Sequence, residues 1–312
     1  MFTWSENPIF DLWDHIMFYS NEMNCKKLLT GEIESGRGLI YTDNLVIDKK
    51  TNQIVMCIKQ AYEYFKAANN VSINTSPLLL FYGMLSLAKA LVVANKKDVY
   101  LEDIKYHGLE TRPITNELRN YQKHPDIWEM EKEYAVTNDG VFKHLTEVIN
   151  DSVFENGSII RFKNLFSLCP EISGMFEKYY NEPSKVLYLY DYTLISKEPI
   201  KIKISFSGYK EEDVYVRIPE LRNDFIIKSQ EFHNVAIEFV SKVLSSCPDY
   251  LSIYEPFVGG KYAIGGLEYQ INGQCKKRKI SQMSIDYIAM FILSICVRYK
   301  QDFWGSITTG DK

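Results

Sequence analysis

The sequence predicts an α+β fold: a mainly α-helical discontinuous core with a β-rich insert or second lobe. Three observations lead there. Two strongly apolar runs of helical character, residues 76–95 and 283–297, stand near opposite ends of the chain. Between them, after Pro183, short runs rich in Val, Ile, Tyr and Phe alternate with polar residues, the pattern of strands with one wet face. A chain of 312 residues with 46% hydrophobic content can bury one large core or two ordinary ones. The expected division is residues 1–182 with 281–312 as the helical core and 183–280 as the β-rich insert.

The order of elements follows from periodicity. Ile9, Phe10, Leu12, Trp13, Ile16, Met17 and Met23 recur at helical intervals, so residues 9–29 predict a first helix packed on the core. Gly36 and Gly38 mark a loop over 31–48, and Ile54, Val55, Ile58, Ala61, Tyr62 and Phe65 predict a second helix over 54–68. In the next run, Ser76 suits the capping position and Pro77 the first helical one, where its missing N–H costs nothing. Almost every direction around that helix is apolar, which predicts that neighbours wrap it. The exceptions, Tyr82, Ser86 and Lys89, fall on one stripe.

After Asn95 the glycine and proline of 106–113 predict an ordered loop, Asn138-Asp139-Gly140 a turn, and 141–153 and 166–180 further helices. Residues 186–192, 200–207, 214–218, 251–254, 261–264 and 268–271 read as strands, whereas 232–244 has helical spacing. The basic run 276–279 reads as a solvated loop. The last helix begins at Ser281 or Ser284.

Composition excludes several classes. A net charge of −4 gives no overall field to draw the chain to nucleic acid or anionic lipid, so nucleic-acid contact has no support from net charge. Six scattered cysteines, with no C-x-x-C pair and no histidine at zinc-ligand spacing, read as reduced thiols in a cytoplasmic protein, and predict neither metal nor cofactor. The N-terminus has no secretory pattern, and the run over 78–94, broken by Ser86 and Lys89, falls short of a membrane span of ~20 residues. No Walker, Rossmann, G-x-S-x-G or H-E-x-x-H motif is present.

Two groupings remain for chemistry. If the two apolar helices share a core, Tyr82, Ser86 and Lys89 meet Asp286, Ser294 and Arg298, giving either an anion site or a satisfied network that fixes helix register. Arg298, near a helix end, predicts a half-buried guanidinium paired with a carboxylate, a carbonyl or Tyr82. Separately, Arg119 and His124 form an R-x4-H spacing that resembles that of HEPN ribonucleases; on one helix face the pair could stabilise a phosphorane and move a proton. Pro125 directly after His124 opposes a continuous helix there.

The run Ser76-Pro77-Leu78-Leu79-Leu80-Phe81-Tyr82-Gly83 carries a likeness, together with Leu87-Ala88-Lys89-Ala90, His107-Gly108 followed by Thr111-Arg112, Gly140-Val141-Phe142, and Leu293-Ser294 with Arg298-Tyr299 and Trp304. With these the chain resembles the YaaC-like family of bacterial proteins. Where the family pattern leads one to expect a proline after the Arg-Tyr pair, Lys300 stands here. The resemblance implies a cytoplasmic bacterial protein and adds His107 and Arg112 to Tyr82, Ser86, Lys89 and Arg298 as ligand-binding candidates. It carries over no catalytic residue. It also implies a protein partner, an ATPase or nuclease of the same gene cluster, since similar proteins occur in anti-phage defence clusters. Three functions follow in order: a non-catalytic interaction or sensing subunit of such a system, a HEPN-type ribonuclease effector, and a small-molecule or anion-binding module.

Overall fold

The structure, a computed structural model, describes residues 7–33, 40–111, 129–197, 200–230, 236–242, 244, 248–255 and 260–310. Its helices are α1 (Pro8–Phe18), α2 (Glu22–Thr30), α3 (Asn44–Ala68), α4 (Ser76–Asn95), α5 (Val141–Val148), α6 (Phe162–Phe166), α7 (Ser173–Tyr180), α8 (Glu211–Arg217), α9 (Leu221–Asp224), α10 (Gln282–Tyr299) and α11 (Gln301–Thr309). The strands are β1 (His107–Glu110), β2 (Tyr134–Gly140), β3 (Ile159–Arg161), β4 (Val186–Lys197), β5 (Ile200–Ser207), β6 (Phe225–Gln230), β7 (Ala236–Ser241), β8 (Leu251–Tyr254), β9 (Lys261–Gly265), β10 (Leu267–Ile271) and β11 (Gln274–Arg278). The fold is α+β. Two compact units make up the chain, Met1–Ile159 with Asp286–Lys312, and Ile160–Ile285.

In the first unit α3 and α4 form the central pair. Helix α4 is wrapped as its composition predicts, since no residue from Ser76 to Asn95 is exposed. Its rings lock onto α10, with Phe81 edge-on to Tyr287 at 5.7 Å and to Phe291 at 5.5 Å. Against α3 the approach is closer still. A Cβ added at Gly83 would stand 2.7 Å from the Phe65 ring, so only glycine lets the two helices meet there. By length and composition α4 is long enough to cross a membrane, because it runs from Ser76 to Asn95, beyond both ends of the 78–94 run. Its contacts with α3 and α10 are nonetheless those of a core helix. Ser76 is the first helical residue and no side chain caps that end.

Several expectations for this unit are corrected. The single helix over 9–29 is two, because Asn21 accepts hydrogen bonds from the amides of Met23 and Asn24 and so starts a new helix. Helix α1 buries none of its residues and reaches the core through Trp13, whose ring sits 5.3 Å from both Tyr62 and Phe65. Helix α3 begins at Asn44, ten residues before the apolar period, because Asp43 caps the amides of Leu45 and Val46. Within that early stretch Lys50 is fully buried, and its ammonium donates to the carbonyls of Val93, Lys96 and Val99 at 2.9, 2.8 and 2.9 Å. The loop expected at 106–109 contains strand β1, antiparallel to β2 with a register shift between His107 and Leu109.

The second unit is built on a six-stranded antiparallel sheet of order β6-β7-β5-β4-β9-β8. Strand β5 sends Ile202, Ile204 and Phe206 into the core. Its opposite face is charged, with Lys203 paired to Asp191 at 3.1 Å and to Glu238 at 3.6 Å. Residues 214–218, expected as a strand, lie largely in α8: the acidic Glu211-Glu212-Asp213 opens a helix, and Asp213 accepts from the Lys210 amide. Val214 and Ile218, four apart, then cover the sheet. Conversely 232–244, expected as a helix, contains β7, whose Ile237 and Phe239 alternate inward between β5 and β6. The basic run 276–279 is not a loop. It lies mostly in β11, and Lys277 reaches the carboxylates of Glu220 and Glu268.

Residues 160–182, expected in the helical part, belong to this second unit because hydrogen bonds tie them to it. The Asn164 amide donates to the Glu268 carbonyl at 2.9 Å, and the Lys185 amide to the Ser167 carbonyl at 2.7 Å. On α7, Glu177 accepts from the Arg217 guanidinium and from the amide and hydroxyl of Ser184 at 3.1 and 2.7 Å. The Arg217 hydrogen bond first, and then those from Ser184, hold the Glu177 carboxyl down to about 2. A depressed carboxylate stabilises fully above its ordinary range, near 4.5, and loses that stabilisation as pH falls toward about 2. Acid titration of Glu177→Gln is therefore expected to show a shallower loss of stability across that window than wild type, measured by thermal melts at stepped pH.

Candidate functional site

Two helices and one strand of the first unit assemble the polar stripe of α4. Tyr82 and Ser86, one turn apart, face α3, where Tyr64 stacks on Tyr82 at 5.6 Å and 27° and Gln60 places its amide oxygen 3.2 Å from Ser86 Oγ. Ser86 donates back to the Tyr82 carbonyl at 2.9 Å. From α10, Arg298 Nε donates to the Ser294 carbonyl at 3.3 Å and Nη1 to the Tyr82 hydroxyl at 3.1 Å. The guanidinium also lies 5.8 Å over the Tyr82 ring and 5.1 Å over that of Tyr299.

His107 enters from the start of β1. The chain turns sharply there: Gly108 has φ +82°, and a Cβ at Gly140 would stand 2.5 Å from the Tyr106 carbonyl and 2.6 Å from the Gly108 amide. Glycine at both positions lets β1 and β2 close at that point. Tyr287 donates to the His107 carbonyl at 2.9 Å, and the imidazole stands edge-on to Phe81 at 5.5 Å. Its Nδ1 is buried without a hydrogen-bond partner among the described residues. Burial first, then the Arg298 guanidinium and the Lys89 ammonium, hold the imidazole below the usual histidine range.

The electrostatics are one-sided. Neither Lys89 nor Arg298 makes an ion pair among the described residues, and no carboxylate contributes to the shift at His107. Tyr82 spends its oxygen as an acceptor for Arg298, which leaves its own proton to donate. Tyr82, Lys89, His107 and Arg298 are all half-buried. A partner complementary to such a set accepts hydrogen bonds and carries negative charge. An oxyanion meets both conditions.

The structure thus brings Tyr82, Ser86, His107 and Arg298 into one neighbourhood, with Lys89 close enough to act on His107. Asp286, twelve residues before Arg298 on the same helix, lies about 18 Å from it along the axis at 1.5 Å per residue. Arg112, Arg119 and His124 lie outside the described residues. Gln60 and Tyr64 escape the sequence reading, although their i, i+4 spacing on α3 mirrors that of Tyr82 and Ser86 on α4. Among the described residues no group of three or more His, Cys, Asp and Glu is placed to hold a metal ion.

A family model described as YaaC-like Protein matches residues 17–312. The comparisons with curated proteins and with solved structures gave no match.

Proposed function

The chain belongs to the YaaC-like protein family, and we propose that it is a non-catalytic sensing subunit of a bacterial multi-protein system whose signal is an oxyanion. The observation that carries the reading is the Tyr82, Lys89, His107 and Arg298 constellation, which presents donors and positive charge with no ion-paired carboxylate among the described residues. Such a set recognises an anion by donated hydrogen bonds and positive charge. Conversion of the bound signal then falls to a partner, an ATPase or nuclease of the same gene cluster in the cytoplasm. Anti-phage defence is the setting that suits this division of labour.

The test is calorimetric titration of the purified chain with inorganic tripolyphosphate, as wild type and as Arg298→Lys. Wild type is expected to bind. The variant keeps the charge but loses the fork that engages Ser294 and Tyr82, so its affinity is expected to fall roughly tenfold. Absence of wild-type binding defeats the reading. Cleavage of RNA by the purified chain, abolished in a folded His124→Ala variant, would put a ribonuclease in its place.

A further inference from the structure

Beyond charge, the site has a flat apolar wall. We infer that the oxyanion is the phosphate portion of a free nucleotide, whose base lies against Tyr64 while its phosphates run toward Arg298 and Lys89. This rests on the oxyanion reading above and adds the ligand class.

Tyr64 is the first reason. It stacks on Tyr82 at 27°, is half-buried, and has no hydrogen bond to its hydroxyl among the described residues. A tyrosine held flat at the edge of a cationic site, with nothing to anchor its own polar tip, offers a π-face to a planar ring. Gln60 is the second. It is exposed one turn before Tyr64, and its amide carries both donors and an acceptor suited to a base edge. The length of the stripe is the third. The backbones of Tyr82, which accepts from Arg298, and Lys89 stand seven residues apart on α4, about 10 Å along the axis, room for a chain of phosphates to lie along it. A free nucleotide is favoured over a nucleic-acid strand because the chain as a whole is acidic, with net charge −4, which repels a polymer of phosphates.

The experiment compares ATP, inorganic tripolyphosphate and a single-stranded oligoribonucleotide by calorimetry on wild type, Tyr64→Leu and Tyr64→Phe, with a thermal melt of each to confirm folding. ATP is expected to bind roughly tenfold tighter than tripolyphosphate, the usual worth of one base stacked on an aromatic ring. Tyr64→Leu is expected to erase that difference between ATP and tripolyphosphate, and Tyr64→Phe to preserve it. Equal affinity of wild type for ATP and tripolyphosphate overturns the nucleotide and leaves the oxyanion reading standing. If neither binds, both fall. Tighter binding of the oligonucleotide than of ATP also overturns the inference, and the wild-type comparisons decide even where a variant fails to fold.

Discussion

Replacing Lys50 with methionine is expected to lower the stability of the first unit by about 3–5 kcal/mol, although methionine nearly matches lysine in length and suits a core. The three ammonium protons of Lys50 go to three carbonyls, those of Val93, Lys96 and Val99, and the Tyr41 and Tyr100 rings stand 5.2 and 4.6 Å away. Lysine suits this place because a tetrahedral –NH3+ has as many donors as there are carbonyls to satisfy, within one small volume. The carbonyls belong to the end of α4 and the segment after it, where a helix leaves its last acceptors unpaired. Methionine would leave them buried without donors. Arginine is also expected to fail, since its planar fork is wider than the pocket filled by Lys50, which has no exposed surface. Urea denaturation followed by far-UV circular dichroism measures the loss. A midpoint unchanged in Lys50→Met would show that the cap does no energetic work.

The second large effect is expected at Lys300, which pairs with Glu133 in surroundings where the Glu133 side chain is 1% exposed. Lys300→Met leaves that carboxylate in place but deprives it of its ammonium, at an expected cost of about 3–5 kcal/mol. Exchanging both, as Glu133→Leu with Lys300→Met, is expected to recover much of the loss, because the double exchange removes the buried carboxylate together with its ammonium. A double-mutant cycle on denaturation midpoints measures the coupling, and strict additivity would contradict it. The site also explains the lysine that stands where a proline is expected after Arg298-Tyr299. It ends α10 and precedes α11 while reaching back to the start of β2.

Both residues show where sequence reading stops. The apolar run at Ser76-Pro77 and the clean alternation of 200–207 announce their elements because each signal is local: a period, a breaker, a cap. Lys50 gives no such sign. Its partners lie 43 to 49 residues away, and a lysine in a mixed helical segment reads as exposed until those carbonyls are placed beside it. The misread segments 214–218 and 232–244 are short apolar runs, for which a helix and a buried strand leave nearly the same trace. The acidic triplet before Val214 is the signal that distinguishes the first. Of the site, Tyr82, Ser86, Lys89 and Arg298 are legible because each polar residue interrupts an otherwise apolar helix. His107 enters only through family resemblance, and the face of α3 not at all, since which helix meets the stripe is a tertiary fact.

The hydrogen bond between Arg298 and Tyr82 joins residues 216 positions apart. At a synthesis rate of ~5–20 residues per second, roughly 10–40 s separate the making of the two. Through that interval the nascent chain carries the α4 side of the site without the guanidinium that completes it. A polypeptide released before Arg298 is made lacks this hydrogen bond, however much of α4 it already carries.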